Sequence, residues 1–185
     1  MSFRQFLAND SRKSKYEYCS LLVELPDNLT DDIISWGFDY VPNEALFADS
    51  KDPLFGREDD THITVIYGIH TDSVREVAAH FTTEKPFECK LGKIDIFTRH
   101  KKFDVLIVRV ECDGLHRLNG KMRRSLEVTE SFPQYVPHVT IAYLKKGAGD
   151  GWIGNDTFNG ETFGIDKVIF SSRSDEKTPI LLGAK

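Results

Sequence analysis

The stretch Thr61-His62-Ile63-Thr64-Val65-Ile66-Tyr67 decides how this chain is read, because it returns as Pro137-His138-Val139-Thr140-Ile141-Ala142-Tyr143. Both run His, aliphatic, Thr, two apolar residues, Tyr. β-Branched and aromatic residues dominate each copy, so each is predicted to be a strand. Alternation along a strand sends His62 and Thr64 to one face, and Ile63, Val65 and Tyr67 to the other. His138 and Thr140 separate from Val139, Ile141 and Tyr143 in the same way. The chain thus presents an imidazole beside a hydroxyl twice, each pair backed by an apolar face.

Outward from these strands, the 185 residues are expected to form one domain, 1–185, large enough to bury a core. Charged residues at 29% and hydrophobic residues at 40% are ordinary for a globular protein. The net charge of −5 argues against a broad nucleic-acid surface, which would be basic. It leaves room for a small phosphorylated ligand, which needs only a few local donors. No apolar run is long enough to span a bilayer, and Met1-Ser2-Phe3-Arg4-Gln5-Phe6-Leu7, followed by Asn9 and Asp10, does not read as a secretory signal. Cys19, Cys89 and Cys112 lie far apart in apolar, strand-like sequence. They read as reduced core thiols of a cytoplasmic protein.

A polar lead-in occupies residues 1–15, with a short helix over Phe3, Phe6 and Leu7. Tyr18–Leu25 is predicted as the first strand, and a helix over Thr30–Trp36 follows, with Thr30 as its N-cap and Gly37 after its end. Residues 38–61 show no periodicity and read as a long connection. A helix is expected over 72–81, with Val74, Val77, Ala78 and Phe81 on one face. Strands at roughly 87–98 and 102–112 would form a hairpin across Arg99-His100-Lys101. Leu115, Leu118, Met122 and Leu126 mark the strongest helix, which Asp113 can cap. After the second motif come a glycine-rich stretch (Gly147, Gly149, Gly151, Gly154, Gly160), strand Phe163–Ser172, a turn at Ser174-Asp175-Glu176 and strand Thr178–Leu182. Strands outnumber helices and several read as hairpins, which predicts an α+β fold with antiparallel sheets. Two related halves, one per motif, would face each other across a cleft.

Two imidazoles across a cleft form a natural acid–base pair, since an unperturbed histidine titrates near pH 6.5. Phosphodiester cleavage needs that division: one group deprotonates the attacking oxygen and the other protonates the leaving oxygen. Thr64 and Thr140 would steady the non-bridging oxygens as charge develops there. One His-aliphatic-Thr triplet alone is common in strands, but two copies matching also at Tyr point to chemistry. No cofactor or metal is expected, because the paired Cys/His spacings of structural zinc are missing. His70, His80, His100 and His116 lack a repeated context and read as surface or packing residues.

The twin His-x-Thr-x-x-Tyr stretches resemble the paired motifs of the two-histidine (2H) phosphoesterases. The resemblance covers roughly residues 18–183. It implies a bilobal α+β fold, with two antiparallel sheets around a central cleft, two pseudo-symmetric lobes and flanking helices. It also implies metal-independent chemistry on 2′,3′-cyclic or 3′–5′ phosphodiesters. By position, His62 and His138 would be the acid–base pair, with Thr64 and Thr140 as phosphate ligands. Length, the Tyr18-Cys19-Ser20-Leu21-Leu22 strand, the Phe97-Thr98-Arg99…Phe103-Asp104-Val105-Leu106 hairpin and Glu176-Lys177-Thr178 look most like the phage-encoded anti-CBASS branch. That branch cleaves cyclic di- and trinucleotide signals, which would place the protein in the cytoplasm of an infected cell.

Three further residues are candidates for gripping substrate. Tyr18 either stacks a base or is a half-buried edge tyrosine. Trp152 either closes over a base from a glycine-rich lid or pins that loop to the core. Glu176, in the last turn, would accept from a base amino group. Lys145 and Lys146 would add local positive charge. The competing class is a module that sequesters a nucleotide uncut, but a pure binder has no need of two imidazoles. RNA 2′,3′-cyclic ends are the alternative substrate, and long nucleic acid is not an expected partner.

Overall fold

The computed structural model describes residues 16–47, 56–129 and 134–183; the expected helix over Phe3, Phe6 and Leu7 lies outside them, as does part of the 38–61 connection. The described elements are β1 (Cys19–Glu24), α1 (Asp27–Tyr40), β2 (His62–Ile69), α2 (Val74–Ala78), β3 (Phe87–Phe97), β4 (Phe103–Glu111), α3 (Asp113–Ser125), β5 (His138–Lys145), β6 (Thr162–Ile165), β7 (Lys167–Ser171) and β8 (Lys177–Leu181). The strands form one eight-stranded sheet in the order β6-β3-β4-β5-β2-β1-β7-β8. Every strand pairing is antiparallel.

One continuous sheet corrects the expectation of two sheets in two lobes facing each other. The physical reason is that the two motif strands pair with one another. β2 and β5 meet at Ile63↔Val139, which joins two four-stranded sets edge to edge. Beyond that point the two strands part, and each finds another backbone partner. β5 bridges to Leu46 and Arg57, while Ile69 of β2 bridges to Val128. The connections that precede each motif thus serve the other strand's edge.

The helices cover the apolar back of the sheet, with α1 against β5 and α3 against β2 and β3. Ile63, Val65, Val139, Ile141 and Ala142 are buried beneath them. α1 begins directly after Pro26 rather than at Thr30 and runs through Gly37. A Cβ at Gly37 would stand 3.0 Å from Ile141 Cγ2, so the glycine marks close approach of helix to sheet and not the helix end. Cys112, not Asp113, takes the N-cap position of α3. The expected strand 163–172 is split into β6 and β7 at Asp166, whose carbonyl accepts from Leu182 N.

Cys89 and Cys112 are joined as a disulfide with Cα atoms 4.8 Å apart, and Cys19 is a buried free thiol. This corrects the reading of three reduced thiols. The β3–β4 register, which sets Lys90 against Glu111, brings together two cysteines separated by 23 residues in sequence. Among the described residues no helix is long and apolar enough to cross a membrane.

Candidate active site

Antiparallel pairing at Ile63↔Val139 sets His62 opposite Thr140 and Thr64 opposite His138 when the register is extended by one residue each way. The four side chains therefore form a quadrilateral on one face of the sheet, with a histidine at two diagonal corners. In a regular ladder, diagonal neighbours stand about 7–8 Å apart, with their Cβ atoms somewhat closer. The imidazoles are side by side on adjacent strands, not across a cleft as the sequence suggested. That spacing leaves room for one tetrahedral phosphate between them, with a hydroxyl at each remaining corner.

Both rings are held in the same way. His62 Nδ1 donates to the Asp60 carbonyl at 2.7 Å, and His138 Nδ1 donates to the Val136 carbonyl at 2.7 Å. A carbonyl oxygen can only accept, so Nδ1 carries the proton and the neutral ring presents a bare Nε2. Burial pushes the His138 imidazole below the usual histidine range, and positive charge at His62 and Arg109 pushes it the same way. The Val136 carbonyl offsets part of this. The outer neighbours differ: Glu24 stands opposite His62, and Arg109 opposite His138.

Tyr67, assigned to the back face by strict alternation, lines the cleft with His62 and Thr64. A register shift is responsible. Leu22 faces Thr64 while Leu21 faces Ile66, so β2 carries an extra residue at Val65 and the alternation turns over. Asn119 of α3 donates to the Val65 carbonyl at 2.8 Å, which secures the bulge. β5 does the same, since Ile107 faces Thr140 and Leu106 faces Ala142, leaving Ile141 as the extra residue. Tyr143 then packs at 5.5 Å from the ring of Phe103.

The cleft beside β2 is lined by Tyr16, Tyr18, Tyr67, Ser20 and Ser171 together with Asp60, Asp175 and Lys177. Register explains the grouping: Ser20 faces both Tyr67 and Ser171, and Ser171 faces Lys177. Tyr18 packs edge-on to Tyr67 at 5.9 Å. Burial, reinforced by the Glu17 charge, holds the Tyr67 phenol above its usual range, so it stays an O–H donor. Lys177 Nζ lies 3.0 Å from Asp60 Oδ2. Asp60 therefore holds His62 with its carbonyl and Lys177 with its carboxylate. From the other side, the Tyr135 hydroxyl donates to the Thr64 carbonyl at 3.1 Å.

The structure brings Tyr18 into the cleft with His62 and Thr64 and sets His138 and Thr140 beside them on the adjacent strand, but it places neither Trp152 nor Glu176 there. Trp152 packs half-buried against the hydrophobic core, and it does not line the cleft. Its loop, expected as a lid, follows β3: Gly154 N donates to Ile94 O, Ile94 N to Asn155 O and Gly160 N to Leu91 O. Glu176 is exposed, and its carbonyl closes the β7–β8 turn by accepting from Ser172 N. Its neighbours Asp175 and Lys177 line the cleft instead. Asp175 holds φ at 68°, the left-handed residue of that turn. Lys145 and Lys146 bond to Glu44 O and Thr98 O. Among the described residues no three His, Cys, Asp or Glu side chains group as metal ligands.

Residues 41–149 match the family model described as the 2′-5′ RNA ligase superfamily. The chain belongs to the 2′-5′ RNA ligase superfamily. Members of this superfamily are two-histidine phosphoesterases with phosphodiesterase-type activity. No curated protein matches the chain in sequence. Among solved structures, TT0787 of Thermus thermophilus superposes with a TM-score of 0.66 at 13% identity, over 91% of this chain and 99% of that one. E. coli LigT complexed with 3′-AMP gives a TM-score of 0.61 at 18% identity, covering 89% and 94%. Kluyveromyces marxianus Usb1 with uridine monophosphate gives 0.52 at 9% identity, covering 89% and 97%. These likenesses show a shared fold.

Proposed function

We propose that this superfamily member is a phosphodiesterase acting on nucleotides, with His62 and His138 as its proton-transfer pair and Thr64 and Thr140 as its phosphate ligands. The observation that carries this is the twin fixation of the imidazoles, each with Nδ1 on the carbonyl two residues before it. The neutral bias at His138 makes its Nε2 the base, which takes the proton from the attacking oxygen as the new P–O bond forms. Protonated His62 gives its Nε2 proton to the leaving oxygen as the old P–O bond breaks. The threonine hydroxyls donate to the non-bridging oxygens, which carry more charge in the transition state. Tyr18 and Tyr67 offer ring faces for a base.

The substrates to test first are cyclic di- and trinucleotides, in keeping with a phage counter-defence role in the host cytoplasm and the resemblance in sequence. RNA 2′,3′-cyclic ends are the second reading, and a non-cleaving cyclic-nucleotide binder is the third. Incubation with all of these substrate classes in EDTA, followed by chromatography, separates the readings. The enzyme reading expects product from at least one phosphodiester. Binding without product by the wild type would leave only the binder. Loss on chelation, restored by zinc or manganese, would show the motif misassigned.

A further inference from the structure

We infer that the tip of the β3–β4 hairpin, residues 98–102, is a docking arm for the phosphates of a single-stranded oligonucleotide whose reacting end lies between the two histidines. The inference rests on the phosphodiesterase reading and, within it, favours the second substrate class, RNA ends, over cyclic dinucleotides. The tip reads Thr98-Arg99-His100-Lys101-Lys102, and all five residues are exposed. On a chain of net charge −5, such a run is a local reversal of sign. Neighbouring cations repel unless acids stand between them, yet Arg99, Lys101 and Lys102 form no ion pair among the described residues.

The tip is also held in shape. His100 stacks on Phe103 with ring centroids 3.7 Å apart, and its Nδ1 accepts from Lys102 N at 3.2 Å. Lys146 Nζ donates to Thr98 O at 2.8 Å and also binds Asp104. His100 is therefore committed to the protein. Its basic neighbours reach into solvent from a fixed base.

Continuity with the reacting centre supplies the occupant. Phe97, the last residue of β3, packs edge-on against the His138 ring at 4.8 Å. The Cα of Arg99 follows within about 7 Å of the Cα of Phe97, the reach of two residues. A nucleotide chain leaving the reacting phosphate on the His138 side passes Phe97, which can stack a base, and then meets the cations. A cyclic dinucleotide, closed on itself, has no such extension. The basic cluster thus favours a linear chain with phosphates beyond the reacting one.

The test compares an oligoribonucleotide ending in a 2′,3′-cyclic phosphate with 2′,3′-cyclic AMP, for wild type and the triple variant R99Q/K101Q/K102Q. The expected result is a loss of kcat/KM on the oligonucleotide at least tenfold greater than on the mononucleotide. The plot of log kcat/KM against log salt for the oligonucleotide should also become shallower by about 2, the share of three cations on a single strand. Equal losses on both substrates, or none on the oligonucleotide, would overturn the arm. If wild type cleaves neither substrate, the reading of the site as acting on 2′,3′-cyclic ends fails by itself. Anisotropy with labelled single-stranded RNA then decides the arm, and equal affinity of wild type and variant would refute it.

Discussion

The β2 and β5 motifs share their histidine fixation, their bulge position and their tyrosine, yet their surroundings differ. Tyr67 opens on a cleft with Tyr18, Ser20 and Lys177. Tyr143 is buried against Phe103, which itself packs against Phe47 and His100. Beside His62 stand Glu24 and a carbonyl from Asp60, whose side chain binds Lys177. Beside His138 stand Arg109, which is paired with Asp95, and a carbonyl from Val136. Under the proposed function, the repeated motif supplies what must be duplicated around a phosphate, two imidazoles and two hydroxyls. Under the same proposal, the surroundings diverge into a binding surface beside His62 and a packed, cation-flanked base at His138.

The comparison breaks most sharply at the histidines themselves. Replacing either by Ala should lower kcat/KM by about 10²–10⁴, with the double variant little worse because the two act as a unit. Purely multiplicative losses would mean that the strands act independently. The tyrosines should then separate stability from binding. Tyr143→Ala is expected to cost about 3 kcal/mol of unfolding free energy. Tyr67→Ala should instead raise KM by about tenfold, the scale of one lost base stack. Matching drops in melting temperature with KM unmoved would reduce the β2 cleft to packing.

Protonation should distinguish the imidazoles next. His138 has a folded pKa below its unfolded value, ordinarily about 6.5. Its contribution to stability is therefore present above about pH 6.5 and is lost as pH falls through the folded value. Denaturant titrations from pH 8 to pH 5 should show this decline, and His138→Gln should flatten it. The acid limb of kcat/KM should likewise lie below pH 6.5, where His138 finally takes up its proton; an acid limb above that pH would argue for His62 as base.

The smallest effect belongs to Lys177, half-exposed on its pair with Asp60. Such pairs contribute about 0.2–1 kcal/mol, so Lys177→Ala should slow kcat by no more than about fivefold. Lys177→Arg should restore the rate, because it keeps the charge on Asp60 and hence the carbonyl that holds His62. A change confined to KM would make Lys177 a substrate contact instead.

Local order was strong enough in the sequence to mark both motif strands, the β3–β4 hairpin, α3 and the four residues of the quadrilateral. Each is a run whose residue types and spacing carry the information within a few positions. The superfamily could be read for the same reason. The bulges left only a faint local trace, the apolar doublets Val65-Ile66 and Ile141-Ala142 between Thr and Tyr, and strict alternation therefore put both tyrosines on the wrong face.

Only tertiary structure decided the single sheet, the side-by-side imidazoles, the Cys89–Cys112 bond and the cleft built from Tyr18, Ser20, Tyr67, Ser171 and Lys177. Those depend on which strand edges meet. Hydrogen bonds between residues more than a hundred positions apart, such as Lys177 to Asp60, follow from register across the sheet. Trp152 is the plainest case. Its glycines permit a lid, but backbone pairing along β3 fixes the loop at the sheet's edge, and that pairing has no signature in the loop's own residues.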